Sequence, residues 1–218
     1  MRFRVLLCSF WLALAMSGAF AAPSASEIVD AYNSGQAAWD DGDLVTAMIR
    51  LKLPADNGHP EAQALLGYIL DQADNDVEAA AYYRKAAEQN NFDGMFGLAG
   101  FHISGDGDVK IDRLVAKELY LRGAEGRHLP SVSVIVLNYV NGGLGLTDAE
   151  RNGPDALKWF TLGAELGLTV ALEQLIDANR NGKLGLQKNP EEADRLQTKL
   201  YAIMGIDPST IKKKRRRR

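Results

Sequence analysis

A chain of 218 residues with 25 Lys and Arg against 28 Asp and Glu carries a formal net charge of −3, and 46% of it is apolar. Its one cysteine, Cys8, falls in an N-terminal leader, which excludes a disulfide framework or thiol chemistry in the mature chain. The length suits one or two globular domains, and no Pro- or Ser-rich linker divides it.

The leader, residues 1–21, has the features of an export signal. Arg2 and Arg4 form a positive start, residues 5–16 are strongly apolar, and Ala19-Phe20-Ala21 is a small-x-small cleavage site. The apolar stretch is shorter than the ~20 residues that span a bilayer. Cys8 follows Leu6 and Leu7 and comes too early to carry a lipid anchor. The expectation is a mature chain beginning at Ala22 or Pro23, periplasmic or secreted.

Beyond the leader the sequence repeats itself. Residues 58–89 read as two short alanine-rich helices joined by a polar turn. Ala55, Ala87, Ala124 and Ala164 close equivalent runs, at intervals of 32, 37 and 40 residues. Such periods with helical patterning describe stacked helix pairs. One pair cannot bury its apolar face alone, so the expected core is continuous and elongated, an all-α solenoid. The approximate units are 27–58, 59–91, 92–128, 129–168 and 169–205.

In the second unit, Ala62, Leu65, Leu66, Ile69 and Leu70 share one helical face. Ala64 and Gly67 are small enough to let helix axes approach. On the next helix, Val77, Ala80, Ala81, Tyr83 and Ala87 are expected inward, and Arg84, Lys85 and Glu88 in water. Pro60, Pro130, Pro154 and Pro190 stand at or near helix starts, where a missing N–H costs little, and Asn189 is a plausible N-cap. The turns Gly105-Asp106-Gly107, Asn141-Gly142-Gly143 and Asn181-Gly182 separate the two helices of later units. Residues 131–136, SVSVIV, alternate like a strand. The repeat register nonetheless predicts helix, because burying several such side chains outweighs a propensity penalty of at most ~0.7 kcal/mol each.

Ala62, Leu66 and Gly67, then Ala79, Tyr82, Tyr83, Ala86 and Ala87, resemble the Sel-1-like repeat, a relative of the tetratricopeptide repeat. The next unit matches at Leu98, Ala99, Gly105 and Gly107, then at Ala116, Tyr120, Gly123 and Ala124. The one after matches at Tyr139, Gly142 and Gly145, then at Ala156, Lys158, Trp159, Phe160 and Ala164. The resemblance implies an α/α superhelix, and the lack of any catalytic motif among the residues leads to the expectation of no catalysis and no cofactor. It also implies binding of another protein or peptide segment along a groove lined by the first helix of each pair. Carried over by register, that surface is Glu61, Tyr68, Asp71, Phe96, Ile103, Leu137, Val140, Asp177 and Arg180. Phe96, Ile103, Leu137 and Val140 would form an apolar strip bounded by charges, suited to an extended or helical segment. Secreted relatives that staple each repeat with a cysteine pair are a subgroup from which this chain departs.

Residue types give no catalytic constellation. His59, His102 and His128 fall near helix ends, at unequal places in the repeats, without metal-ligand spacing. Asp106 and Asp108 lack the twelve-residue calcium-loop pattern, and Gly142-Gly143-Leu144-Gly145 lacks the Lys-Ser/Thr of a phosphate loop. A hydrolase using groove carboxylates is the rival class, and it would need a paired separation and one raised pKa.

Charge is distributed unevenly. Residues 27–78 hold eleven acidic residues against Arg50 and Lys52. At the other end Lys212, Lys213, Lys214, Arg215, Arg216, Arg217 and Arg218 form an unbroken basic run. With the rest of residues 206–218 it reads as a disordered interaction tail. It suits an anionic partner such as lipid, lipopolysaccharide or nucleic acid, or head-to-tail self-association with the acidic end.

Overall fold

The computed structural model describes residues 22–207, so the leader and the basic run lie outside the described residues. Eleven helices and no strands occur among those residues: α1 (Ala25–Asp40), α2 (Leu44–Asp56), α3 (Pro60–Gln72), α4 (Asp76–Glu88), α5 (Phe92–Ser104), α6 (Arg113–Glu125), α7 (Leu129–Asn141), the single turn α8 (Asp148–Arg151), α9 (Pro154–Glu165), α10 (Thr169–Asn181) and α11 (Pro190–Ile203). The pairs are α1/α2, α3/α4, α5/α6, α7/α9 and α10/α11. Each main helix packs on the one before and the one after it. First helices of neighbouring pairs also meet, α3 on α5 and α7 on α10. The chain is an all-α solenoid.

The repeat is legible in what is buried. Ala47, Ala79, Ala116, Ala156 and Ala193 occupy one position of the second helices, and all five are fully buried. The closing alanines, Ala55, Ala87, Ala124 and Ala164, are buried too. Small residues meet where one pair docks on the next. A Cβ on Gly123 would lie 2.4 Å from Ser131 Oγ, and one on Gly163 would lie 2.8 Å from Ala171 Cβ. Close approach is therefore built into these junctions, since interaxial distance follows the side chains at the contact.

The strand-like stretch is helix α7, with Val132, Ile135 and Val136 at most 1% exposed. Burial thus overrides β-branched propensity, as the register requires. Val77 differs from expectation: it is 62% exposed. The buried stripe of α4 runs through Ala79, Ala80, Tyr82, Tyr83, Ala86 and Ala87, and Val77 lies in the first turn, ahead of it.

Local chemistry starts the helices. Ser24 and Thr147 close capping boxes on Glu27 and Glu150. Asp43, Asn91, Asp112 and Asn189 accept backbone N–H groups at their N-caps. The junction from one pair to the next turns through a left-handed residue each time, at Gly58, Asn90, Arg127 and Gly167.

Candidate functional site

A groove of about 620 Å³ opens along α1, α3 and α5, and Pro130 at the start of α7 closes one end. Its floor is apolar and aromatic, with Leu65, Tyr68, Phe96, Phe101, Tyr83 and Tyr120. These rings brace one another. Tyr83 lies edge-on to Phe101 at 5.8 Å, Phe96 edge-on to Tyr120 at 5.5 Å, and Trp39 edge-on to Tyr68 at 5.5 Å. Two glycines of α5 shape the space. A Cβ at Gly97 would stand 2.4 Å from the Tyr83 ring, so only glycine lets that tyrosine cross the helix. A Cβ at Gly100 would meet nothing within 4 Å, so its missing side chain is open volume.

Four carboxylates line the groove, Glu61, Asp71, Asp93 and Asp106, and no Lys or Arg stands among the lining residues. Burial raises the Asp71 carboxyl above the usual aspartate range, and Asp76 adds to this. The Tyr83 hydroxyl reaches Asp71 at 3.5 Å, and burial followed by that carboxylate pushes the phenol up. The His128 hydrogen bond, 3.0 Å long, holds Asp93 below its ordinary value. The groove is thus an aromatic trough with an acidic rim.

The structure divides the surface predicted from sequence. Glu61, Tyr68, Asp71 and Phe96 come together in this groove. Ile103 and Leu137 are 39% and 46% exposed and lie outside it. Val140 and Asp177 line a separate pocket of about 110 Å³ with Arg151 and Lys183. Arg180 pairs with Asp194 of α11 at 3.5 Å. The expected continuous strip through Phe96, Ile103, Leu137 and Val140 is therefore not one cavity. The loop carrying α8 folds back onto the end of α7. From it Arg151 donates to the carbonyls of Tyr139 and Val140 and caps the end of α7.

The histidines also need correction. His59 and His128 occupy the same place in the repeat, the N-cap of a first helix. His59 stacks on Tyr32 at 4.3 Å and lies 3.2 Å from Glu61. His128 contacts Ser131 Oγ at 2.8 Å through Nδ1 and Asp93 at 3.0 Å through Nε2. Ser131, His128 and Asp93 therefore form a chain of contacts resembling a nucleophile, base and orienting acid. Ser131 is fully buried against Gly123, however, and its Oγ has no approach for a substrate. The chain instead ties α5 to α7. His102 Nδ1 lies 3.0 Å from the Lys110 carbonyl, which anchors the α5–α6 loop. Among the described residues no group of three or more His, Cys, Asp or Glu is placed to hold a metal. No described helix is long and apolar enough to cross a membrane.

Known proteins share this architecture. The family described as Sel1 repeat matches residues 60–91, 93–128 and 141–168. The flanking pairs α1/α2 and α10/α11 extend the stack on either side of those matches. A protective antigen of uropathogenic Escherichia coli displaying an SLR fold superimposes with a TM-score of 0.67 at 25% identity, over 80% of this chain and 38% of that one. This chain therefore spans well under half of that protein. A Sel1 repeat protein from Oxalobacter formigenes superimposes with a TM-score of 0.61 at 26% identity, over 79% of this chain and 70% of that one. No curated protein matches the chain.

Proposed function

We propose a function that follows from the chain being a Sel1-repeat solenoid: it is an exported, non-catalytic scaffold that holds another protein in the groove along α1, α3 and α5. Solenoids of this kind are generally protein-interaction scaffolds. The observation that carries the reading is the groove itself, open, aromatic-floored and walled by carboxylates. Such a trough suits an extended segment whose apolar side chains enter the floor while its backbone stays near the rim. The leader supports export, and the reading places the protein in the periplasm or outside the cell.

Photocrosslinking in the exporting cell tests this. A crosslinker at Tyr68, 43% exposed on the groove floor, is expected to trap a discrete partner. One at Leu114, 74% exposed on α6 and away from the groove, is expected to trap none. Equal adducts from both positions, or none from Tyr68, contradict the assignment.

A second reading is favoured by one feature of the sequence, the seven consecutive cations of residues 212–218. That run would retain the protein on anionic lipid, lipopolysaccharide or nucleic acid. Salt-sensitive retention that disappears with the run distinguishes it from groove binding.

A further inference from the structure

The charges of the groove and of the basic run are complementary. The groove has four carboxylates and no cation among its lining residues. It lies on the half of the chain where residues 27–78 hold eleven acids against two bases. Residues 211–218 read Ile-Lys-Lys-Lys-Arg-Arg-Arg-Arg, one aliphatic side chain followed by seven cations. We infer that the α1–α3–α5 groove receives this segment from a second copy of the chain. Ile211 enters the aromatic floor near Gly100, where the space is open, and the lysines and arginines that follow meet Glu61, Asp71, Asp93 and Asp106.

The donor is a second copy for reasons of reach. The last described residue, Asp207, follows α11 at the far end of the stack from the groove. Ile211 lies four residue steps beyond it, and at ~3.3–3.6 Å each these span ~14 Å at most. Between α11 and the groove stand α10 and α7, and packed helices lie ~8–10 Å apart. The segment falls short of its own groove. A contact between unlike surfaces of identical chains is heterologous, so it propagates into open chains or closes into rings. Cations placed beside Asp71 also offset the burial that raises its carboxyl, so binding strengthens as pH rises through the carboxylate range.

This rests on the groove being a binding face, and the experiment separates the two. The full chain, a chain lacking residues 211–218, and a full chain carrying Gly100→Phe are compared by light scattering over a concentration series at ~0.1 M and ~1 M salt, where the Debye length is ~10 Å and ~3 Å. A peptide of residues 206–218 and its Ile211→Glu version are titrated into the chain lacking 211–218, with emission from Trp39, edge-on to Tyr68, as the readout. The expected result is mass that grows with concentration at low salt for the intact chain alone. The peptide is expected to bind at least tenfold more tightly than its Ile211→Glu version, and at least tenfold more weakly at high salt. Gly100→Phe fills open space, so its fold is kept, which circular dichroism checks. An intact chain that stays monomeric, or association that survives Gly100→Phe, overturns the inference. If Tyr68 still traps another protein in either case, the scaffold reading stands without it. If binding follows total peptide charge and ignores Ile211, the run is a general anion binder and the groove is not its receptor.

Discussion

Replacing Leu66 with alanine is expected to destabilise the protein by about 2–5 kcal/mol, the range for emptying a buried leucine site. Leu66 is 3% exposed on α3, and α3 packs against α2, α4 and α5. The cavity therefore opens where two repeats share their core, and both lose contacts. In a solenoid, stability is nearly a sum of repeat terms and neighbour terms. Part of the loss should then appear as a broadened urea transition, with the first pairs unfolding ahead of the rest. Circular dichroism and hydrogen exchange along the chain measure both quantities. A change under ~0.5 kcal/mol, the size typical of a surface site, would place Leu66 outside the core and move the register.

Two glycines six residues apart in α5 should respond to alanine with opposite signs. A Cβ at Gly94 would lie 2.5 Å from Ala86 Cβ and 3.0 Å from the backbone nitrogen of Ala87. Backbone cannot swing aside, so α4 and α5 must separate along the junction. Overpacking of this kind costs about 1–3 kcal/mol, which exceeds the ~1 kcal/mol that alanine offers over glycine in a helix interior. At Gly100 the added methyl group meets nothing within 4 Å. Gly100→Ala should therefore stabilise by about 0.5–1 kcal/mol. Thermal melts of the two variants decide the matter, and a stabilised Gly94→Ala would mean that the pairs are not closely docked there.

The stack itself was legible in the sequence because periodic burial needs only local counting. Equivalent alanines recur at the closing position of the first four units, and the structure buries every one of them. Even α7 could be read against its β-branched composition, since the register outranked propensity. The groove was only partly legible. Glu61 leads by register to Asp93, which lines the groove and was not foreseen. Tyr68 leads by the same step to Gly100, and an absent side chain gives no signal in a list of candidate contacts. The space exists because a glycine stands in one repeat where its neighbour carries a tyrosine, a relation across pairs that single-helix patterns do not carry. Arg151 was missed for a similar reason, because its role depends on a loop folding back onto α7. The signal for α8 was present, a Thr-x-x-Glu capping box at Thr147 and Glu150. The shared position of His59 and His128 was also there to be counted, 69 residues apart, the combined length of the two intervening repeats.

In the function proposed above, the groove along α1, α3 and α5 is where this solenoid binds. Gly100→Phe tests it most directly, because the substitution fills the groove from a position with no neighbour to displace. The measurement is the affinity, by titration calorimetry, of the partner trapped at Tyr68 for the unaltered chain and for Gly100→Phe. The expected result is at least a tenfold weaker interaction with an unchanged helical spectrum and an undiminished melting temperature. Equal affinities for the two chains would contradict it and place the binding surface elsewhere on the solenoid.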